Sequence, residues 1–146
     1  MKVIQLTSRH ATKQILANLN ALLKQQMYDM DSFDPMPMAR FKKILNDKNI
    51  CMLGMFDGAK VIGTGTLIMV TKLRGNYAYI EDMIVDESYR GQGLGRQLGD
   101  ALVATAQKRK ITTIELSTRP SRVAANALYQ KMGFEHKDTN VYRLKL

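Results

Sequence analysis

Three alternating glycines held between arginines, Arg90-Gly91-Gln92-Gly93-Leu94-Gly95-Arg96, are the segment of this chain best suited to binding chemistry. Without Cβ atoms the backbone N–H groups of such a turn are unscreened and converge on one spot. Leu94, Leu98, Ala101, Leu102 and Thr105 then recur at helical spacing, so the turn opens a helix whose N-terminus adds partial positive charge. With Arg90 and Arg96 supplying full charges, a pyrophosphate is the fitting ligand. The bland alternative is a turn that only needs positive φ values. A P-loop would require Lys-Ser or Lys-Thr after the last glycine, and Arg96-Gln97 stands there instead. A dinucleotide fingerprint is a closer but still distant alternative. The third small residue falls on Arg96 or Leu98, and too little chain follows Glu115, the candidate ribose-binding acid, to complete such a sheet.

Two further groups could move protons. Glu81 and Asp82 are adjacent carboxylates in a strand-like run, so alternation sends them to opposite faces and one of them can face a site. A carboxylate is a suitable base for an ammonium that must lose a proton before it attacks, while pairing with a surface cation is the plain alternative. Arg122, Asn126 and Tyr129 are spaced i, i+4, i+7 and share one helix face, which without a ligand would be an ordinary solvated stripe. Asp29, Asp31 and Asp34 gather negative charge beside Tyr28 in an otherwise basic chain; they could draw a cationic acceptor or simply serve turns. His10 and His136 are isolated and Cys51 is the only cysteine, so no metal site is expected.

The elements that must position these residues follow from periodicity. Val3–Leu6 reads as a strand, and Ile15, Leu16, Leu19, Leu22, Leu23 and Met27 as an amphipathic helix from about Thr12 to Tyr28. A loop of three Asp and two Pro precedes a short helix over Met38–Asn46. Ile50–Phe56, Val61–Thr71 and Tyr77–Val85 form an antiparallel meander turned at Asp57-Gly58 and Arg74-Gly75-Asn76. A helix to about Lys108, a strand at Ile111–Ser117, a helix at Pro120–Met132 ended by Gly133, and a final hairpin-like pair over Phe134–Leu146 complete the order β-α-α-β-β-β-α-β-α-β-β. The crossover at residues 77–117 makes two strands parallel. The expected fold is α/β: one domain spanning residues 1–146, with a mixed, mostly antiparallel sheet and helices on both faces.

Val85-Asp86-Glu87-Ser88-Tyr89-Arg90-Gly91-Gln92-Gly93-Leu94-Gly95, followed downstream by Asn126-Ala127-Leu128-Tyr129-Gln130-Lys131-Met132-Gly133-Phe134, resembles the GNAT superfamily of N-acetyltransferases. The resemblance covers about residues 77–134 by motif. It implies acetyl-CoA as co-substrate, with pantetheine inserted beside a splayed strand. Backbone groups of Met83, Ile84 and Val85 would pair with its amides, and the N–H groups of Gln92 through Arg96 would wrap its pyrophosphate. A β-bulge near Met83 is the device expected to open the sheet. The resemblance further implies Tyr129 as the acid that protonates the departing thiolate and Asn126 as a coenzyme neighbour, although Arg122 stands where Asn is common. Glu81 is the expected base, directly or through water. Tyr28, Asp31 and Asp34, in the unmatched N-terminal half that shapes the acceptor pocket in such enzymes, together with Asp82 of the strand before the glycine turn, are the expected acceptor-binding residues.

Composition is consistent with this reading. The formal charge is +9, with 11 basic and 5 acidic residues in 1–76 and 11 and 8 in 77–146. That excess is dispersed rather than arranged as a basic stripe with stacking aromatics, so nucleic acid is not an expected partner, and a polyanionic nucleotide benefits from the same field. With neither a signal-peptide core nor a membrane-length apolar run, the chain is expected in the cytoplasm with no membrane partner. The expected activity is transfer of acetyl from acetyl-CoA to a primary amine of a small molecule or peptide, by direct attack in a ternary complex without metal. A homodimer is compatible with this reading. The competing reading is a non-catalytic CoA- or nucleotide-binding sensor.

Overall fold

The computed structural model describes residues 1–26 and 33–146. Five strands, β1 (Lys2–Gln5), β2 (Ile50–Asp57), β3 (Lys60–Lys72), β4 (Gly75–Val85) and β5 (Thr113–Leu116), form one sheet in the order β1-β2-β3-β4-β5. Neighbours among the first four are antiparallel and β5 runs parallel to β4, which a crossover through an intervening helix allows. The helices are α1 (Lys13–Gln26), α2 (Met38–Asn46), α3 (Leu94–Lys108) and α4 (Val123–Lys131).

The strand period divides the core between the two faces of the sheet. Leu6, Leu19, Leu22, Phe41, Met52, Val61 and Ile84 bury α1 and α2 against one face. Cys51, Leu53, Met55, Leu67 and Ile80 pack beneath Leu94, Leu98, Leu102 and Ala106 of α3 on the other. Cys51 is fully buried and its thiol pKa is raised by that burial, in keeping with a structural role. Thr12 starts α1 by accepting the Ile15 N–H on Oγ1 at 3.2 Å. Asn20 fastens the chain entering α2, its side chain bonding both the N–H and the C=O of Met36 at 2.8 and 3.1 Å.

One expected element is missing. Phe134 packs on the α3 side of the core, but residues 134–146 form neither helix nor strand, so the expected closing hairpin is not made. The run Glu135–Asn140 is polar throughout and has no apolar face to bury; it is fastened by Lys137 Nζ on Glu115 Oε1 at 2.7 Å. Beyond it Val141, Tyr142 and Leu144 are more than four-fifths exposed, and a strand with neither a ladder partner nor a buried face is not stable alone. Among the described residues no helix is long and apolar enough to cross a membrane.

Candidate active site

The β4–β5 ladder stops at Ile80↔Leu116, and the two chains then diverge. The opening between them is a groove of about 1170 Å³, walled by Ile80–Val85 on one side and Ser117–Arg122 on the other. A bulge marks the point of divergence: Thr64 pairs with Ile84 and Thr66 with Glu81, leaving Gly65 opposite both Asp82 and Met83. Asp82 is the extra residue and takes φ 50°, a left-handed conformation that Asp tolerates better than most side chains. The expected bulge near Met83 is therefore present, and it re-aims β4 so that Met83 turns toward α3 and α4 while Glu81 shares a face with Thr66.

At one end of the groove lies the glycine turn. Gly91 and Gly93 have φ 77° and 75°, and a Cβ added at either would meet no atom within 4 Å. Both line the groove, so they form a cradle that side chains would fill. Gly93 is the N-cap of α3 and supplies no side-chain cap, which leaves the first-turn N–H groups directed at the groove. The arginines are deployed differently from one another. Arg90 Nε donates to Val85 O at 3.3 Å, close to the turn. Arg96 Nε grips both oxygens of Asp100 at 2.8 and 2.9 Å, and its Nη1 caps Lys131 O at 3.1 Å. Arg96 thus lines the groove while fastening α3 to the end of α4.

At the other end lies Tyr129. Its hydroxyl is 3.8 Å from Met83 Sδ, and its ring meets Phe134 edge-on at 5.9 Å. Small residues bring it there: a Cβ on Gly95 would lie 3.2 Å from Leu128, and one on Gly99 would lie 2.5 Å from Met132. Burial raises the Tyr129 pKa and the Arg122 charge opposes that rise, so the phenol is protonated near neutrality. Glu81 and Asp82 also line the groove. The surrounding walls desolvate both carboxyls and raise their pKa values, and the Asp82 charge raises Glu81 further.

The structure thus gathers Glu81, Asp82, Met83, Ile84, Val85, Arg90, Gly91, Gly93, Leu94, Gly95, Arg96 and Tyr129 around one groove. Gln92 and Asn126 are off its wall. Asn126 Nδ2 donates to Arg119 O and Arg122 O at 2.9 and 3.0 Å, so it fixes the turn that enters α4. Asp34 is exposed ahead of α2 and away from the groove, while Tyr28 and Asp31 lie outside the described residues.

Two contributors escaped the sequence reading. Asp86, only 8% exposed, accepts from the Ser88 N–H and hydroxyl at 3.1 and 2.7 Å and pairs with Lys60 Nζ at 3.1 Å. Those bonds, the Ser88 hydroxyl first, hold its pKa below the usual range. They fix the turn that delivers the chain from β4 to the glycines, and the Asp-x-Ser pattern was the legible signal. The other is Gln26, whose carbonyl accepts from Arg122 Nη2 at 3.2 Å across the groove; periodicity carries no trace of that bond.

The sequence profile of the acetyltransferase (GNAT) family matches residues 16–134. The chain belongs to that family. It is 38% identical over 65 residues to the [ribosomal protein bS18]-alanine N-acetyltransferase of Escherichia coli strain K12, covering 44% of each chain. It is 26% identical over 131 residues to an N-acetylaspartate synthetase of Xenopus tropicalis, covering 87% of this chain and 42% of that protein. It therefore spans less than half the length of these relatives. Among solved structures, an acetyltransferase from Agrobacterium tumefaciens C58 superposes with TM-score 0.84 at 22% identity over 99% of this chain and all of the other. An aminoglycoside acetyltransferase from an uncultured soil metagenomic sample gives 0.86 at 19% identity, covering 99% and 96%. These two likenesses concern the fold.

Proposed function

We propose that the protein transfers acetyl from acetyl-CoA to a primary amine by direct attack within a ternary complex. The observation that carries this reading is the placement of the half-buried Tyr129 hydroxyl beside Met83 at the β4 bulge, in the groove that begins at the glycine cradle. The cradle fits a pyrophosphate, because Gly91 and Gly93 leave open the space a Cβ would take and the α3 N-terminus is aimed there. Backbone groups of Met83 to Val85, which lack a β5 partner beyond Ile80, are available to the pantetheine amides.

Glu81 takes a proton from the incoming ammonium, a task suited to a carboxyl whose pKa is raised toward neutrality. The nitrogen lone pair then forms the C–N bond and the C–S bond breaks, sulfur leaving with the bonding pair. Tyr129 supplies the proton that converts this thiolate to thiol. The surplus proton on the new amide nitrogen returns to Tyr129 through water. Positioning of the two reactants supplies most of the rate.

The names of a [ribosomal protein bS18]-alanine N-acetyltransferase, an N-acetylaspartate synthetase and, among fold neighbours, an aminoglycoside acetyltransferase suggest which amine classes to try first. A screen of acetyl-CoA consumption over amino acids, peptides, polyamines and aminoglycosides tests the reading. Tyr129→Phe should lower kcat by about 100-fold on the best acceptor, with CoA affinity within about twofold of the unaltered protein. CoA binding without turnover on any amine would favour the sensor reading instead.

A further inference from the structure

Arg122 joins the two sides of the groove. It stands immediately ahead of α4, half-buried on the groove wall, and its Nη2 donates to the Gln26 carbonyl at the end of α1. That hydrogen bond, 3.2 Å long, fastens the guanidinium to α1. The Asn126 bond to Arg122 O holds the same residue from the backbone side. Arg122 and Tyr129 lie two helical turns apart on one face, and both line the groove. Arg122 therefore holds a fixed cation on the face that carries the tyrosine.

We propose that Arg122 is a positioning residue for acetyl transfer, its anchored guanidinium stabilising the negative charge that passes from the leaving sulfur to the Tyr129 oxygen. The proposal rests on the transfer reading above. When the C–S bond breaks, one unit of negative charge sits on sulfur. Proton donation by Tyr129 moves that charge to the phenolate oxygen, where it stays until the proton lost by the amide nitrogen returns. A cation that is already in place stabilises both forms without reorganising.

The charges around Tyr129 agree with this role. Glu81 and Asp82 face the groove from β4, Arg90 and Arg96 from the glycine turn, Arg119 from the β5–α4 turn and Arg143 from the C-terminal segment. The Arg122 charge, rather than that of any of these groups, draws the Tyr129 pKa down against the effect of burial. The alternative role is a purely mechanical strap between α1 and α4.

The deciding comparison is Arg122→Gln against Arg122→Lys, read first by NMR of isotope-labelled tyrosine in the free protein, with Tyr129→Phe assigning the resonance. Arg122→Gln should move the Tyr129 titration to higher pH, and Arg122→Lys should restore it. The alkaline limb of kcat should move the same way, and kcat near neutrality should fall about tenfold in the Gln variant while the acetyl-CoA KM stays within about twofold. A lowered Tm with the tyrosine titration unmoved would leave only the strap. A raised acetyl-CoA KM with unchanged kcat would make Arg122 a coenzyme ligand, and either result overturns the proposal. Failure of the transfer reading is separately visible, because the tyrosine titration is read without substrate.

Discussion

The two ends of the groove are built on different principles. At the glycine turn, recognition is offered by backbone: Gly91 and Gly93 are in left-handed conformations with open space above them, and the nearby arginine Arg96 is occupied with Asp100 and Lys131. At the tyrosine end, side chains do the work: burial and the Asp82 charge raise the Glu81 pKa, and burial raises the Tyr129 pKa against the Arg122 charge. A backbone site fails when its conformation is disturbed. A side-chain site fails when a charge is changed, even if the fold is intact.

The largest effect expected from this difference is at Gly93. Valine there must adopt φ near +75°, which costs about 1–2 kcal/mol, and it would shield the α3 N–H groups from phosphate. At CoA concentrations of about 100 times Kd, ligand binding stabilises the unaltered fold by about 2.7 kcal/mol. Gly93→Val should lose nearly all of that increment in a thermal-shift titration while still unfolding cooperatively. Unaltered CoA affinity would remove the glycine turn as the phosphate site.

A middle-sized effect belongs to Asp86, which serves the backbone end with a side chain. Removing it leaves the Ser88 N–H and Lys60 without their shared partner, at a cost of about 1–3 kcal/mol for Asp86→Ala in urea unfolding at neutral pH. The folded-state pKa is lowered, so this stabilisation is complete above the unfolded value of about 3.9 and is lost as pH falls through the folded value. The gap between the two proteins should close in acid. A gap that persists in acid would mean that packing, rather than the carboxylate, holds the turn.

This contrast also explains what was legible in the sequence. Glycines at positive φ, an amphipathic α3 and a strand-helix-strand order are local patterns, and they located the sheet, the crossover and the glycine turn. Asp86 was hidden because its partner Lys60 comes from another strand, 26 residues away. The Arg122–Gln26 bond spans 96 residues, beyond any periodicity. Asn126 was expected on the face of Arg122 and Tyr129, yet its side chain turns back to the carbonyls of Arg119 and Arg122, a choice decided by local backbone acceptors. A closing hairpin-like pair was expected over Phe134–Leu146, but a strand forms only where a partner and a buried face exist.

The smallest effect, and the one that sharpens the comparison most, is the stability change on neutralising Glu81. Its folded-state pKa is raised by desolvation and by Asp82, so the folded protein holds the ionised form less well than the unfolded chain does. The sign follows: the penalty is fully present above the folded pKa and is relieved as pH falls through it toward the unfolded value. Glu81→Gln should therefore match or slightly exceed the unaltered protein in stability at neutral pH. Because the side chain is exposed on an open groove, solvent screening limits the gain to a few tenths of a kcal/mol. The same variant should lose amine acetylation, since a neutral amide cannot accept the proton, so stability and activity would move in opposite directions. Asp82→Asn is the control, because asparagine also tolerates the φ of 50° at the bulge. Loss of turnover in Asp82→Asn with retention in Glu81→Gln would transfer the base to Asp82, and lowered stability in Glu81→Gln would mean that its carboxylate is held by a favourable partner.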